Sequence, residues 1–169
     1  MNLEEVVDRL KAIGNPKVAE LKANKFNITS ENSLGIYQKD IKSLAKDIGL
    51  NNDLALELFD SGIYEAKLLC CCIFKSGCLT KALMHKFVLE FDNWEICDSF
   101  SMGIFSNSAH ALEMAFEWSK NEKEFIKRSA FCIMASYGFA NKNAENATFE
   151  SFLPIIEREA SDDSMSKKL

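Results

Sequence analysis

Residues that interrupt helices are scarce in this sequence, which holds only two prolines and seven glycines among its 169 residues. No apolar run approaches the roughly 18 residues that a membrane-spanning helix needs. The first five residues, Met1 to Glu5, include two acids where a secretory signal would be basic and then apolar. These absences predict an intracellular protein with no membrane partner, rich in helix and long enough for one domain.

Common catalytic and cofactor motifs are also missing. The two histidines, His85 and His110, have no Ser or Cys in a recognisable nucleophile motif beside them. The chain has no glycine-rich phosphate loop and no dinucleotide fingerprint. We therefore expect no cofactor, and the composition, 47% hydrophobic and 27% charged, is that of an ordinary globular protein.

The six cysteines lack the spacing of a metal or disulfide framework. Cys70, Cys71 and Cys72 are consecutive in an apolar stretch, so on a helix they cannot all face one metal ion. No Cys-x-x-Cys pair occurs. We predict buried thiols in a reducing compartment and no metal site, with a redox or metal role as the alternative.

The net charge of −5 argues against a strongly basic nucleic-acid-binding surface, because Lys and Arg contacts to phosphate supply most non-specific affinity. The acidic excess is greatest in residues 51–100, which carry 4 Lys and Arg against 8 Asp and Glu. Residues 1–50 carry 8 against 7. Any face that binds DNA must therefore arise from the way the fold groups its cations.

Apolar residues recur at helical spacing along nearly the whole chain. Val6, Val7, Leu10 and Ile13 share one face, and this pattern ends at Gly14-Asn15-Pro16, where proline suits the first turn of the next helix. Further apolar periods follow at 41–48, 54–59, 64–74, 79–91, 94–105, 109–118, 125–139 and 149–160.

About ten helices joined by short turns predict an all-α fold of stacked antiparallel helix pairs, a HEAT-like or ARM-like α-solenoid. A compact irregular bundle is the competing interpretation, because no numerical sequence repeat is evident. We assign residues 1–160 to a single helical-repeat domain. The polar residues 161–169 are expected to form a frayed C-terminal tail.

The segment from Phe91 to Asp98 is the most informative part of the chain. Trp94 and Asp98 are four residues apart, so on a helix an indole and a carboxylate project from one face. Lining a groove, they could hold a cationic or developing-cation substrate, the indole through its π face and the carboxylate through its charge. The structural alternative is a packed aromatic anchor beside a surface charge.

Candidate phosphate-binding cations lie in three places. Lys39, Lys42 and Lys46 are three and four residues apart and share one helix face, with Lys67 in a later helix. Lys127 and Arg128 interrupt the apolar stretch 125–137 and must reach solvent or find a partner. The plain alternative in each case is a solvated helix face, or an arginine whose stem lies on apolar neighbours.

Four blocks of the sequence occur in order along the chain: Gly35-Ile36 followed by 41–46, then 64–69, then 91–98, and then 117–119 with 125–131. In order and in register, these blocks resemble the DNA alkylation repair family of AlkD-like, HEAT-like-repeat DNA glycosylases. The first is similar to the family's Gly-Val and Leu-Ala-Lys stretch, and the second to its His-Glu-Ala-Arg stretch. The third is similar to its Phe-Asp-x-Trp-Asp-x-x-Asp segment, and the fourth to its Trp-Ser and Lys-Arg-Ala blocks.

This resemblance implies a stack of helix pairs that grips duplex DNA containing alkylated bases and removes N3- or N7-alkylated purines without extruding them. It places Trp94 against the deoxyribose, Asp98 beside the oxocarbenium-like sugar and Arg128 on the adjacent phosphate. No cofactor or metal is implied, and we expect a monomer. Lys42 and Lys67 stand at two of the family's arginine positions, which keeps the charge but loses forked phosphate contacts.

Two further departures leave an alternative open. Tyr37 and Lys39 fill family proline positions, and family members continue past the position of Leu169 into a Trp-Ala-Leu-Arg helix. We therefore expect the second aromatic of the lesion site to be missing here. The alternative is a catalytically weak or inactive HEAT-like module that binds DNA or protein, or a purely structural helical repeat.

Overall fold

The computed structural model describes residues 1–30 and 32–160, and these residues form α-helices without any β-strand. None of the described helices is both long and apolar enough to cross a membrane. The helices are α1 (Leu3–Ile13), α2 (Pro16–Phe26), α3 (Gln38–Ile48), α4 (Asn52–Asp60), α5 (Tyr64–Ile73), α6 (Lys81–Val88), α7 (Trp94–Phe100), α8 (Ala111–Trp118), α9 (Glu124–Ala140), α10 (Asn146–Glu150) and α11 (Leu153–Glu159). The predicted all-α fold is confirmed.

Local sequence accounts for the first two helices. Asn2 caps α1 by accepting from the Glu5 N–H, while the Glu5 side chain accepts from the Asn2 N–H. Pro16 occupies the first turn of α2, where its missing N–H has no partner to lose, and the Asn15 side chain accepts from Lys17 N–H. The helix break predicted at Gly14-Asn15-Pro16 is therefore confirmed.

Two other predicted segments differ from the structure. The single helix predicted over 149–160 is divided into α10 and α11, with Pro154 in the first turn of α11. Proline breaks a helix interior because it has no backbone N–H to donate and its ring clashes with the carbonyl of the preceding turn. The segment 94–105 leaves α-helical geometry after Phe100. A π-helical turn at Ser101–Phe105 follows, in which Ser106 N–H donates to Ser101 O at 3.0 Å.

Alternate helices pack into one continuous row. Helix α3 contacts α5, α5 contacts α7, and α7 contacts α9, while α4 pairs with α5 and α8 pairs with α9. The links within those pairs are short, as in antiparallel helix hairpins. Every cation and site residue predicted from the sequence lies on α3, α5, α7 or α9. The row of these four helices therefore brings all the predicted site residues to one layer of the fold.

Aromatic packing fixes α7 in the core. Phe100 is fully buried, with ring centroids 5.2 Å from Phe87 and Phe91 and 5.9 Å from Phe105. Phe105 in turn lies 5.6 Å from the Trp118 ring. Clusters of edge-to-face rings add to the free energy of burying their area, so the C-terminal half of α7 is held rigidly.

The loop between α2 and α3 is fastened by one buried carboxylate. Glu65, on α5, is fully buried and accepts from the backbone N–H groups of Leu34 and Gly35 at 2.8 Å and from the Ser33 hydroxyl at 2.8 Å. Gly35 has φ of +74°, and a Cβ there would lie 2.1 Å from the Asn15 carbonyl oxygen. The loop therefore enters α3 in a fixed direction.

Candidate functional site

Helix α7 carries the two residues singled out from the sequence. Asn93 caps it by accepting from the Ile96 N–H, and Phe100 turns inward. On the other side, Trp94 is 38% exposed and the Asp98 side chain is 25% exposed. The structure therefore brings both candidate residues to the surface of the helix rather than into the core.

The Trp94 indole is held by a hydrogen bond to another helix. Its Nε1–H donates to the Phe26 carbonyl oxygen at 2.9 Å, at the last residue of α2. The ring borders a small pocket of about 320 Å³ whose other walls include Phe26 and Tyr37. With its N–H engaged, the indole offers a ring face to a bound molecule and not a donor.

Asp98 is bound by a guanidinium in a two-pronged contact. Arg128 of α9 is only 6% exposed, and its Nε and Nη2 donate to Asp98 Oδ1 and Oδ2, each at 2.7 Å. Paired donation of this kind fixes the plane of a carboxylate as well as its charge. The hydrogen bond to Asp98 raises the pKa of the Arg128 guanidinium, so the guanidinium stays charged.

A thiol completes the surroundings of Asp98. Cys132, one turn after Arg128 on α9, donates its S–H to Asp98 Oδ1 at 3.1 Å. A hydrogen bond with Cys97 and burial both raise the pKa of the Cys132 thiol, so it remains protonated and able to donate. Asp98 thus accepts three hydrogen bonds from α9 while keeping a quarter of its side-chain surface exposed.

The exposed part of Asp98 lines an open groove of about 770 Å³ between α3, α5 and α7. Lys42 and Lys46 of α3 form its cationic side, while Leu50 and Met102 contribute an apolar lining. Gln38 lines both this groove and the small pocket beside Trp94, and its amide lies 3.5 Å from Ser99 Oγ. Asp98 therefore lines the groove and Trp94 lines the small pocket, and Gln38 forms a wall common to both.

The lysines predicted to bind phosphate fall into two groups. Lys39, Lys42 and Lys46 are exposed and form no ion pair with any residue that the structure describes. Lys39 Nζ lies 5.8 Å from the centroid of the Tyr37 ring. Lys42 and Lys46 line the groove, and Lys39 lies about one turn before Lys42 on the same face of α3, where an anion could approach.

Lys67 and Lys127 are already engaged with carboxylates. Lys67 Nζ lies 2.8 Å from a Glu90 oxygen and 5.1 Å from the Phe59 ring centroid, and its side chain is 18% exposed. Lys127 Nζ lies 2.7 Å from a Glu159 oxygen, and both side chains are mostly buried. A contact from either lysine to DNA would require exchange of an existing ion pair.

Within residues 1–30 and 32–160, no group of three or more Cys, His, Asp or Glu residues is arranged so that it could hold a metal ion. Cys72 does line the groove with Lys42. A hydrogen bond from Cys71 lowers the pKa of Cys72 to about 7, with a further contribution from the Lys42 charge and opposition from burial. Cys72 is therefore partly ionised at neutral pH.

Sequence reasoning missed several residues around the site. Cys132 could have been found, because it lies four residues after Arg128 and must share its helix face. Gln38 and the buried pair Lys22 and Glu95 carried no local signal. Lys22 and Glu95 are 73 residues apart, and only the packing of α2 on α7 brings them together.

Stacked helix pairs with a charged groove on one layer define the class as a HEAT-like helical-repeat protein. One solved structure has this fold: it aligns with this chain at a TM-score of 0.80 and 20% sequence identity. The alignment covers 96% of this chain and 68% of the chain in that structure. That structure is described as "a new family of proteins related to the HEAT-like repeat DNA glycosylases with affinity for branched DNA structures".

The chain belongs to the DNA alkylation repair enzyme family, whose model matches residues 6–167. The resemblance found in four sequence blocks is confirmed by this match. No curated protein matches the chain. Membership supports a role for the protein in DNA repair.

Proposed function

We propose that this protein is a DNA glycosylase that hydrolyses the N-glycosidic bond of N3- or N7-alkylated purines in duplex DNA. One observation carries the proposal: the Asp98 carboxylate, oriented by Arg128, lines the groove whose other side presents Lys42 and Lys46. A negative charge held beside a phosphate-binding surface suits a reaction in which a deoxyribose becomes positive.

The chemistry requires little of the protein beyond charge placement. An alkylated purine is cationic, so it leaves with the electron pair of its bond to C1′ and becomes neutral without being protonated. The sugar passes through an oxocarbenium-like state, which Asp98 stabilises. A water oxygen then bonds to C1′ and its proton is released to solvent, which completes hydrolysis. Stabilisation confined to the transition state raises the rate of the chemical step.

Trp94 and Arg128 have distinct roles in this proposal. The Trp94 ring face packs against the deoxyribose, since its N–H is already bound to Phe26. Arg128 orients Asp98 through the contacts to both of its oxygens. A direct contact from Arg128 to the neighbouring phosphate, implied by the family resemblance, stays a prediction.

The intracellular location and the monomeric state expected from the sequence also stay predictions.

The proposal is tested by incubating the protein with duplex DNA that carries a single 7-methylguanine and measuring the free base released. An unmodified duplex of the same sequence and a known alkylpurine glycosylase serve as controls. We expect release of 7-methylguanine from the lesion duplex alone. Binding without any release, under conditions in which the control enzyme acts, would contradict a catalytic role.

A second candidate is a DNA-binding module without excision activity. Its specific support is that Asp98 already accepts three hydrogen bonds, so its charge is substantially satisfied before any substrate arrives. The structural neighbour described as having affinity for branched DNA agrees with this alternative. If the protein is such a module, we expect it to bind a four-way DNA junction more tightly than a linear duplex and to release no base from either.

A further inference from the structure

We infer that the buried ion pair between Lys22 and Glu95 sets the orientation of the Trp94 indole, which makes Lys22 and Glu95 positioning residues of the DNA site. Lys22 Nζ lies 3.1 and 3.0 Å from the two Glu95 oxygens, and the residues are only 7% and 9% exposed. The inference rests on the proposed function for its catalytic consequence, but the positioning itself does not require catalysis.

The pair joins the last turn of α2 to the first turn of α7. Glu95 follows Trp94 directly, and Lys22 lies one turn before Phe26, whose carbonyl accepts the indole N–H. Helix α2 and helix α7 therefore touch at two points: ammonium to carboxylate, and carbonyl to indole. The first contact holds the helices at the distance that the second requires.

The end of α2 is arranged so that its carbonyl is available. The N–H groups of Asn27, in the left-handed region with φ of 52°, and Ile28 both donate to the Lys22 carbonyl. Phe26 is at the helix end, where no following turn supplies an N–H to its carbonyl. The Trp94 indole N–H donates to this Phe26 carbonyl instead. The orientation of the indole therefore depends on Lys22 in two ways: the Lys22 carbonyl shapes the end of α2, and the Lys22 ammonium binds Glu95.

Glu95 is held from several sides. The Tyr64 hydroxyl donates to Glu95 Oε2 at 2.8 Å, and Gln38 Nε2 donates to Oε1 at 3.4 Å. Burial first, and the Glu95 charge second, raise the pKa of Tyr64, so its hydroxyl stays a donor. A buried ion pair is a weak source of stability compared with apolar packing, and here its two contacts hold the Lys22 ammonium against both Glu95 oxygens. This network lies directly beneath the one exposed tryptophan of the site.

The positioning is tested by ¹⁹F NMR of protein labelled with 5-fluorotryptophan, whose two tryptophans give two signals. Trp118 is buried in the core and reports on the fold, whereas Trp94 reports on the site. We expect Lys22→Met to move the Trp94 signal and leave the Trp118 signal in place. Lys86→Met, which breaks the exposed pair with Asp60, is the matched control and should move neither signal.

Kinetics and a compensating variant separate positioning from simple stability. A displaced indole should lower kcat for base release by about tenfold to a hundredfold with a smaller change in KM. The double variant Lys22→Met with Glu95→Met removes the unpaired charge and should regain thermal stability without regaining the native Trp94 signal. Full recovery of both signal and kcat in that variant would overturn the inference, because stability alone would then explain the loss.

Two further outcomes keep the test decisive. If Lys22→Met does not fold, Tyr64→Phe removes one donor to Glu95 while keeping the ring, and it should move the Trp94 signal in the same direction by less. An unchanged Trp94 signal in the folded variants would also overturn the inference. If the unmodified protein releases no base, the proposed function fails while the NMR result still decides whether the pair positions Trp94.

Discussion

At the scale of single residues, the groove contains two groups, Asp98 and Cys72, whose properties depend on neighbouring side chains. Asp98 has its plane fixed by Arg128, and Cys72 has its acidity changed by Cys71. Both residues line the same groove, although their helices, α7 and α5, are different. The rate at which a reagent modifies Cys72 therefore also shows whether a bound molecule covers the groove beside Asp98.

We predict that iodoacetamide alkylates Cys72 at neutral pH and that bound DNA protects it. Alkylation requires the thiolate, and a Cys72 pKa lowered to about 7 makes the rate rise through that pH and level off above it. Peptide mass spectrometry with and without duplex DNA measures the rate. Cys78, exposed and outside the groove, is the internal control and should react equally in both samples. Equal alkylation of Cys72 with and without saturating DNA would place the DNA elsewhere.

At the scale of elements, α5 determines where α3 begins. The Glu65 carboxylate receives the backbone N–H groups of the loop that leads into α3, and it has no exposed surface. Helix α3 carries the exposed lysines, so the position of the cationic side of the groove depends on this one buried contact. Its partners lie some 30 residues away in the chain, so helical periodicity gave no sign of it.

We predict that Glu65→Ala lowers the free energy of unfolding by at least about 3 kcal/mol, because each buried N–H left without an acceptor costs roughly 1–3 kcal/mol. Urea denaturation followed by circular dichroism measures the change. Glu57→Ala, on the exposed face of α4, is the control and should alter stability by no more than about 0.5 kcal/mol. A Glu65→Ala variant as stable as the control would show that the loop is held by other contacts.

Helix existence was largely predictable from the sequence, whereas contacts between helices were not. The apolar period and the Gly14 to Pro16 signal located α1 and α2 because both are local properties. The break before α11 was missed even though Pro154 stands in the segment, since the apolar residues continue across it. The π-helical turn after Phe100 follows from core packing and has no local signature.

At the scale of the whole molecule, the row of α3, α5, α7 and α9 explains how an acidic protein could present a cationic side. The net charge is −5, yet the three exposed lysines of α3 share one helix face, and two of them, Lys42 and Lys46, line the groove. The sequence predicted which helix face carries these lysines. It could not predict that Lys67 and Lys127 would be paired with Glu90 and Glu159, because both partners come from distant segments.

We predict that replacing Lys39, Lys42 and Lys46 together by glutamine weakens DNA binding and flattens its salt dependence. Each lysine that contacts a phosphate contributes about 0.9 to the slope of log affinity against log salt. Fluorescence anisotropy with a labelled duplex at several salt concentrations measures the slope. A control that replaces the exposed lysines Lys75, Lys86 and Lys120, none of which lines the groove, changes the net charge equally. Equal slopes for the two triple variants would show a general charge effect and no defined DNA surface.

The proposed stabilisation of positive charge on the sugar by Asp98 is tested most directly by the single-turnover rate of 7-methylguanine release by Asp98→Asn. The substitution keeps the size of the side chain and removes its charge. We predict a fall in this rate of about 10²- to 10³-fold, comparable with loss of one electrostatic group in other enzymes, in a variant whose circular dichroism shows it folded. Release by folded Asp98→Asn at the rate of the unmodified protein would contradict this role of Asp98.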